Sequence, residues 1–288
     1  MKLTNELKYP ESVYNAALDS IYKPLPDKIR VTELISPPLI RTLTMRHWDD
    51  IVVDVDDFLL SMFGTAFHKF LASYENKDNT IFGQRFDVKV GDYVLTGEPD
   101  KFNVNTGILE DYKTTSAWSF VFGHKEWEEQ LNLYAHLLRL HGYKVYGLLI
   151  NAFLRDWTLN QSRQRGRWDY PDKRFYVCRM KLWDLADTEK FIDTKITDII
   201  TNPERECTPE EKWEHPTTYA VMKDGRKNAV RVLKTNEAAL DWIEHNTKGA
   251  ERNKITIDVR QGECVRCNGY CDVSKFCPYF KGDNNERD

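Results

Sequence analysis

The sequence has no run of apolar residues approaching the roughly 20 that a membrane-crossing helix needs. Its opening stretch, MKLTNELKYPESVY, lacks the apolar segment of a secretory signal. The chain as a whole lacks an excess of positive charge, because 45 acidic residues against 41 basic ones give a formal net charge of −4. These absences predict a cytosolic protein without a membrane partner. Any nucleic-acid binding would have to depend on local basic patches or bound metal.

Cysteine is absent from the chain before Cys178, and four of the six cysteines lie close together near the carboxyl terminus. In a reducing compartment this crowding favours metal or cluster binding over disulfides. The four are Cys264, Cys267, Cys271 and Cys277, the last followed by a proline. Their compact spacing favours an iron–sulfur cluster. Structural zinc is the alternative, although its commonest pattern separates two cysteine pairs by a longer loop.

Length and composition limit the architecture. A chain of 288 residues with 41% hydrophobic and 30% charged residues is typical of a globular protein with one substantial core and a smaller appendage. Hydrophobic periodicity predicts a larger domain over residues 1–205 that begins with a helical preface. Residues 206–288 are predicted to form a small α+β module, with a ββαβ order, that ends in the cysteine cluster.

Helical and strand patterns alternate within the larger domain. Helices are predicted near residues 11–21, after Ser36-Pro37-Pro38, and at 54–74, 125–140 and 184–200. Strands are predicted at residues 84–90, 93–96, 101–104, 108–113, 145–154 and 175–181. The predicted fold class is therefore α/β.

Four short motifs follow one another on a predicted helix, two strands and a second helix. In chain order they are His68, Gly97-Glu98-Pro99-Asp100, Asp111-Tyr112-Lys113 and Gln130-Leu131-Asn132-Leu133-Tyr134. Each alone has an ordinary explanation: a hydrogen-bonded core histidine, a turn, a solvated strand edge or a helix surface. Their joint order indicates a functional site.

Strand alternation sorts the acidic residues of the predicted strand 108–113. Side chains of a strand point to opposite faces in turn, so Asp111 and Lys113 share one face and Glu110 points away from it. Asp100 begins the neighbouring strand. If the two strands pair as a hairpin, we expect the carboxylates of Asp100 and Asp111 to converge.

Converging carboxylates predict a site for a hard divalent cation. Asp100, Asp111 and the backbone carbonyl of Tyr112 would supply the oxygen ligands that Mg²⁺ prefers, and His68 would shift the preference towards Mn²⁺. A metal so placed acidifies a water molecule and neutralises charge on a phosphodiester. Lys113 could orient that water or stabilise the transition state.

Two helical motifs complete the predicted site. Gln130 and Tyr134 are four residues apart and share one helix face, which could contact DNA or hold Lys113 in place. His68 follows Gly64 by four residues, and the missing side chain of this glycine would let another element approach closely.

The ordered motifs resemble the PD-(D/E)XK nuclease superfamily, specifically its RecB-type branch. The pattern of that branch is a helical His, then Gly-x-x-Asp, Asp-x-Lys and Gln-x-x-x-Tyr. The resemblance covers roughly residues 30–200, and phage recombination exonucleases are similar in overall layout. It implies a restriction-endonuclease-like core in which helices flank a central mixed sheet, followed by the small α+β extension.

The resemblance also implies roles for individual residues. They are metal binding by His68, Asp100, Asp111 and the Tyr112 carbonyl, catalysis by Lys113 together with Asp111 and Asp100, and DNA binding by Gln130 and Tyr134. The implied cofactor is Mg²⁺ or Mn²⁺.

The implied activity is that of a metal-dependent DNA exonuclease, acting on DNA ends in recombination, repair or end processing. A phage-encoded enzyme of this kind would act in the cytoplasm of its bacterial host. The sequence offers no separate target-recognition domain, which disfavours a restriction enzyme. A structure-specific endonuclease and a DNA-binding subunit or scaffold that needs a partner remain alternatives. DNA is the expected partner, with a further copy of the chain or a recombination protein as open possibilities.

Nucleases similar to AddB and to the CRISPR-adaptation enzymes carry a 4Fe–4S cluster, with one cysteine before the nuclease core and three after it. This chain departs from that pattern because no cysteine precedes Cys178. The cluster is therefore assigned to the four tail cysteines. Replacement of one of them by Cys207 is disfavoured, and Cys178, in a predicted strand, is expected to be a core residue.

A basic and aromatic stretch separates the last two predicted strands of the larger domain. It contains Trp157, Arg163, Arg165, Arg167, Trp168, Tyr170, Lys173 and Arg174. Such a loop could hold a phosphate backbone and stack exposed bases. The equal alternative is a solvated loop whose aromatic side chains fold onto the core.

Overall fold

The computed structural model describes residues 1–75, 77–123, 125–164 and 169–280, and only the backbone of residues 77, 250 and 251. The chain divides into two compact units, Met1–Arg205 and Glu206–Asp288. Within the described ranges, none of the helices combines the length and the apolar character needed to cross a membrane.

The first unit has a mixed α/β architecture. Its helices are α1 (Glu11–Ser20), α2 (Val31–Ile35), α3 (Pro38–Arg46), α4 (Val55–Ala72), α5 (Ala117–Phe122), α6 (Lys125–Leu140), α7 (Leu159–Arg163) and α8 (Leu185–Thr201). Its strands are β1 (Lys2–Thr4), β2 (Lys28–Arg30), β3 (Val52–Asp54), β4 (Thr80–Phe82), β5 (Phe86–Val90), β6 (Tyr93–Gly97), β7 (Lys101–Asn103), β8 (Ile108–Thr115), β9 (Gly147–Leu154) and β10 (Phe175–Met180).

The largest sheet of this unit has the strand order β10-β9-β8-β7-β4. Strands β8 and β9 run parallel, and the other neighbours in this sheet are antiparallel, so the sheet is mixed. A three-stranded sheet has the order β2-β6-β5, and β1 pairs with β3. The sheet residues Leu109 and Ile150 and the α6 residues Leu133 and Leu137 are fully buried in one hydrophobic cluster. Burial of these apolar side chains fixes α6 against the sheet.

Helix α4 begins at a well-formed cap. The Asp54 backbone N–H donates to Asp57 Oδ2 at 2.8 Å, and Asp54 Oδ1 accepts from the Asp56 N–H at 3.1 Å. These contacts satisfy N–H groups that a helix terminus leaves without partners, and the acidic first turn suits the helix dipole. The apolar spacing predicted a helix over residues 54–74, and the structure confirms it.

The apolar side chains of α4 are not part of the core. Val55 is the only residue of this helix that is buried. Phe63 and Phe70 are 49% and 58% exposed. The period of the sequence therefore identified the helix without identifying what it packs against.

Consecutive residues of β8 face different helices. A Cβ atom at Gly64 of α4 would lie 3.2 Å from Thr114 Oγ1, so this glycine lets α4 approach one face of the strand closely. Lys113, which precedes Thr114, points to the other face of the strand, where its Nζ donates a hydrogen bond to Gln130 Oε1 of α6. Helices α4 and α6 thus lie on opposite faces of β8, as strand alternation requires.

The second unit is built from short elements. They are β11 (Glu214–His215), β12 (Thr218–Lys223), β13 (Arg231–Leu233), α9 (Asn236–Asn246), β14 (Ile255–Arg260), β15 (Glu263–Cys264) and α10 (Val265–Gly269). Three strands form an antiparallel sheet of order β13-β12-β14. Strands β11 and β15 pair separately, with Glu214 opposite Cys264. A Cβ atom at Gly262 would lie 2.6 Å from the carbonyl oxygen of His215, so the chain needs glycine here.

Candidate active site

Strands β7 and β8 form the hairpin that the sequence predicted. Lys101, the first residue of β7, pairs with Glu110 in antiparallel register, and Asp100 directly precedes it in the chain. Asp100 Oδ2 accepts a hydrogen bond of 2.9 Å from the backbone N–H of Tyr112. This bond fixes Asp100 beside the centre of β8.

Asp111 is a buried carboxylate that contacts the ammonium group of Lys113. Its exposed fraction is 2%. Its Oδ2 forms an ion pair with Lys113 Nζ at 2.8 Å, and apart from Lys113 none of the described residues donates to this oxygen. Burial raises the pKa of Asp111 to about 6; the Lys113 ammonium opposes this shift, and the Asp100 carboxylate adds to it.

Lys113 is held by a chain of hydrogen bonds. Its Nζ donates to Gln130 Oε1 at 2.8 Å, and Gln130 Nε2 donates to the Tyr134 hydroxyl at 2.9 Å. Tyr134 is 6% exposed. Burial raises the pKa of Tyr134, so its hydroxyl remains neutral. These contacts favour the alternative in which both residues hold Lys113 in place, and their contact with DNA remains a prediction.

The close packing around Gly97 explains why the Gly-Glu-Pro-Asp motif begins with glycine. A Cβ atom there would lie 2.7 Å from Tyr134 Cε1 and 2.7 Å from Leu137 Cδ1, closer than side chains tolerate. The missing side chain therefore lets the end of β6 approach α6. A larger residue at position 97 would displace Tyr134 from the position in which its hydroxyl accepts the hydrogen bond from Gln130.

His68 reaches the site from α4. Its Nδ1 lies 3.3 Å from Asp100 Oδ1. Burial opposes a charge on the ring, but the hydrogen bond to Asp100, the charges of Asp100 and Asp111 and a bond to the Tyr112 backbone outweigh burial and raise the pKa of His68. His68, Asp100 and the Tyr112 backbone therefore meet at one place.

A cleft of about 370 Å³ opens at this place. Its lining includes Thr65, His68, Lys69, Glu98, Asp100 and Tyr112. The cleft gives a ligand access to His68 and Asp100, while Asp111 lies buried beside them.

The donor atoms suit a hard divalent cation, although they are paired with one another. Across the residues that the structure describes, no three His, Cys, Asp or Glu side chains are arranged to hold a metal ion. His68 is held against Asp100, and Lys113 against Asp111. Asp111 Oδ2 is the oxygen that fits a cation, because Lys113 is its one partner among the described residues and a carboxylate oxygen can accept more than one contact.

The face of β8 that carries Glu110, opposite to the face with Asp111 and Lys113, has an ionic network that the sequence analysis missed. Lys101 Nζ lies 2.6 Å from Glu75 Oε1 and 2.9 Å from Glu110 Oε1, and Asn151 Nδ2 donates to Glu110 Oε2 at 2.8 Å. Burial opposes the Lys101 charge, but its bonds to both glutamates outweigh burial and raise the pKa of Lys101. The antiparallel register of a β7–β8 hairpin places Lys101 opposite Glu110, so this contact could have been predicted. Glu75 follows α4, and no pattern in its local sequence marks it as a partner of Lys101.

Lys101→Met is expected to lower the free energy of unfolding of the first unit by about 2–4 kcal/mol, because two partly buried glutamates lose their shared cation. Urea unfolding would measure the change. Lys89→Met, on an exposed position of β5, is the matched control and should stay within about 0.5 kcal/mol of the unmodified protein. A Lys101→Met variant as stable as that control would contradict a structural role for this network.

The six cysteines are all free thiols. Cys178 lies in β10 and packs against the main core, as predicted. Burial raises the pKa of Cys178, which makes it an unreactive thiol. Cys264, Cys267, Cys271 and Cys277 all belong to the second unit, and thiol donors of this kind suit iron or zinc.

The basic and aromatic stretch is only partly described, because Arg165, Arg167 and Trp168 lie outside the described residues. Tyr170 is 5% exposed, and its hydroxyl accepts from the backbone of Thr158. Among the described members, Tyr170 is therefore folded onto the core and cannot stack with a base.

Comparisons with known proteins add little. The sequence matches no protein-family model and no curated protein. Among solved structures, the protein SSO0001 is 15% identical, with a TM-score of 0.48, over 70% of this chain and 87% of that protein. An alkaline exonuclease (LHK-Exo) from Laribacter hongkongensis is 10% identical, with a TM-score of 0.33, over 68% of this chain and 95% of that protein. At such scores neither similarity decides the fold or the chemistry of this chain.

Proposed function

We propose that this protein is a metal-dependent nuclease of the PD-(D/E)XK type that hydrolyses phosphodiester bonds at DNA ends. The observation on which the proposal depends is the buried Asp111, which forms an ion pair with Lys113, feels the charge of Asp100 and has a pKa that burial raises. A buried carboxylate with a strongly shifted pKa, next to a cleft, is typical of functional sites. The order of the four sequence motifs is the second support.

The proposed metal ligands are His68, Asp100, Asp111 and the Tyr112 carbonyl. Mg²⁺ or Mn²⁺ bound there would polarise a phosphate oxygen and lower the pKa of a water molecule. The hydrogen bond from the Tyr112 N–H, which fixes the Asp100 carboxylate, supports this assignment. A cation binds the deprotonated forms of His68 and Asp111, so the raised pKa values of both would make its binding stronger as pH rises.

Lys113 is the proposed catalytic lysine. Its ammonium group keeps a fixed position because Gln130 and Asp111 hold it from two sides. A fixed positive charge stabilises negative charge that develops on a phosphate in the transition state. Its side chain is 21% exposed, which leaves it able to contact a substrate.

For the second unit we propose a thiolate-bound centre, a 4Fe–4S cluster in the first place and structural zinc as the alternative. The support is the set of free, partly buried thiols in one small unit. Such a centre would stabilise a unit whose elements are short and whose strands have only 2 to 6 residues.

The decisive test of the nuclease proposal compares three DNA substrates of one sequence: an open linear duplex, the same duplex closed by hairpins at both ends, and a covalently closed circle. With Mg²⁺ or Mn²⁺ we expect degradation of the open duplex alone, and a chelator should abolish it. Cleavage of all three forms would indicate an endonuclease instead. No cleavage of these three forms, or of a single-stranded DNA added as a fourth substrate, would support a DNA-binding subunit that needs a partner.

A further inference from the structure

Helix α4 and the residues directly after it carry a stripe of large apolar side chains along one side. Its members follow one another at intervals of three and four residues, which places them on one helix face: Leu60, Phe63, Phe67, Phe70 and Tyr74. The ring of Phe67 lies 5.4 Å from the ring of Phe153 in β9, so the stripe borders the large sheet. The other four side chains are between 49% and 77% exposed.

Strand β10, at one edge of the large sheet, continues this apolar surface. Phe175 is the cross-strand partner of Phe153, so both side chains lie on the same face of the sheet. Val177 follows on that face, whereas Cys178 points to the other face and packs against the main core. Phe175 and Val177 are 41% and 59% exposed. The exposed side chains of α4 and β10 together form the apolar patch: Leu60, Phe63, Phe70, Tyr74, Phe175 and Val177.

Charges of opposite sign flank the apolar patch. Asp56 precedes Leu60 by four residues and lies on the same side of α4. Arg179 follows Val177 by two residues and lies on the same face of β10. Both charged residues are exposed, and within the described ranges Arg179 has no acidic partner.

The direction of the elements puts these two charges at opposite ends of the patch. Gly64 of α4 lies against Thr114 of β8. Four residues later in α4, the His68 ring lies 6.1 Å from the ring of Tyr112, which comes two residues earlier in β8. Helix α4 is therefore antiparallel to β8. Strand β9 is parallel to β8 and β10 is antiparallel to β9, so β10 runs in the direction of α4. The acidic residue lies near the start of this pair of elements and the basic residue near its end.

We propose that the apolar patch is the interface of a symmetric homodimer. A two-fold axis through the middle of the patch places the apolar side chains of one copy on those of the other. The same rotation brings Arg179 of each copy to Asp56 of the other, so the patch is complementary to itself in charge. A surface that binds unpaired DNA bases would instead need positive charge along its whole length. The inference depends neither on the nuclease proposal nor on the tail centre.

The apolar area of the patch matches what a stable dimer needs. A large aromatic side chain buries 150–250 Å² when fully covered, so the exposed parts of the six side chains together present on the order of 500 Å². A typical stable interface takes about 800 Å² from each partner, and somewhat more than half of that area is apolar. The patch therefore supplies the apolar share of such an interface.

Analytical ultracentrifugation of the full-length protein over a range of concentrations tests the dimer. We expect a species with twice the 33.9 kDa of one chain, in reversible equilibrium with the monomer. Phe70→Glu should raise the dissociation constant at least about 30-fold, because each copy would bury a charge in the apolar centre. The control Phe122→Glu changes an exposed phenylalanine of α5. This helix packs through Phe120 against Tyr176, whose side chain points to the opposite face of β10, so the control should leave the dissociation constant unchanged.

A charge exchange tests the two-fold arrangement itself. Asp56→Arg and Arg179→Asp each put like charges together at both ends of the interface, so each single variant should dimerise more weakly than the unmodified protein. An equimolar mixture of the two variants should form a heterodimer, in which both ends again carry opposite charges. The double variant Asp56→Arg/Arg179→Asp should form a homodimer. Recovery in the mixture requires both single variants to be folded, so it separates loss of the interface from loss of the fold.

Other outcomes would overturn the inference. Unmodified protein that keeps the mass of one chain up to its highest soluble concentration would exclude the dimer. A dimer that persists in Phe70→Glu, or single charge variants that fail to associate when mixed, would place the interface elsewhere. A monomer whose affinity for a single-stranded oligonucleotide falls in Phe70→Glu would assign the patch to DNA.

Discussion

Asp111→Asn is expected to abolish DNA cleavage and, at the same time, to make the first unit harder to unfold at neutral pH. Cleavage should fall at least about a hundredfold, because the amide removes a charged ligand from the proposed metal site. The gain in stability has a separate cause. Asp111 is 2% exposed and burial raises its pKa, so its ionised form is costly in the folded protein.

The stability effect has a definite pH dependence. The pKa of Asp111 is about 6 in the folded protein against an ordinary value of 3.8. The folded state therefore binds this proton more tightly, and the contribution of Asp111 to stability falls as pH rises between these two values. Above pH 7 the loss is complete and amounts to about 2–3 kcal/mol, which the asparagine variant avoids. We expect the difference between the two proteins to shrink towards pH 4.

Thermal unfolding in the presence of a chelator, at several pH values between 4 and about 8, would measure this effect. The matched control is Asp92→Asn in the exposed turn between β5 and β6, which should change neither property. If Asp111→Asn proved less stable than the unmodified protein at neutral pH, the ionised carboxylate would not destabilise the folded protein. If it cleaved DNA normally, Asp111 would not be a metal ligand.

Lys113→Met is expected to be equally inactive and to change stability in the opposite direction. Cleavage should fall about 100–1,000-fold, because a fixed positive charge no longer faces the phosphate. Stability at neutral pH should fall by about 1–3 kcal/mol, since the buried Asp111 loses its cation. The methionine also breaks the hydrogen bond to Gln130.

The double variant Asp111→Asn/Lys113→Met tests the cause of that loss. Because it has no buried carboxylate, it should be more stable than Lys113→Met alone, and the two changes should therefore not be additive. Activity on linear DNA and urea unfolding supply the two readouts. Lys89→Met is the control for the removal of a lysine from a strand. Cleavage by Lys113→Met at an undiminished rate would remove this residue from the catalytic site.

Local patterns were enough to predict the central elements of the first unit. The predicted helix at residues 125–140 has the bounds of α6, Lys125–Leu140. Alternation along β8 correctly separated Asp111 and Lys113 from Glu110, because the period of a strand is set by its backbone. The hairpin of β7 and β8 was also predictable, since its strands are adjacent in the chain.

Contacts between distant parts of the chain were not predictable in this way. The parallel pairing of β2 with β6 joins residues more than sixty positions apart, and the short strand β2 has no pattern of its own. The contact of Lys101 with Glu75 depends on how the end of α4 meets β7. The pairing of Glu214 with Cys264 depends on the fold of the whole second unit, which spacing between cysteines cannot show.

The pairing of β11 with β15 has a consequence for how the chain is assembled. Strand β11 ends at residue 215 and β15 begins at residue 263, and the close approach of Gly262 to His215 joins the two points. The segment that forms the three-stranded sheet and α9 therefore begins and ends at nearly the same point in space, as the two ends of an inserted domain do. The two ends of the segment between these strands lie as close together as the ends of a tight turn, so we expect this segment to tolerate changes in length.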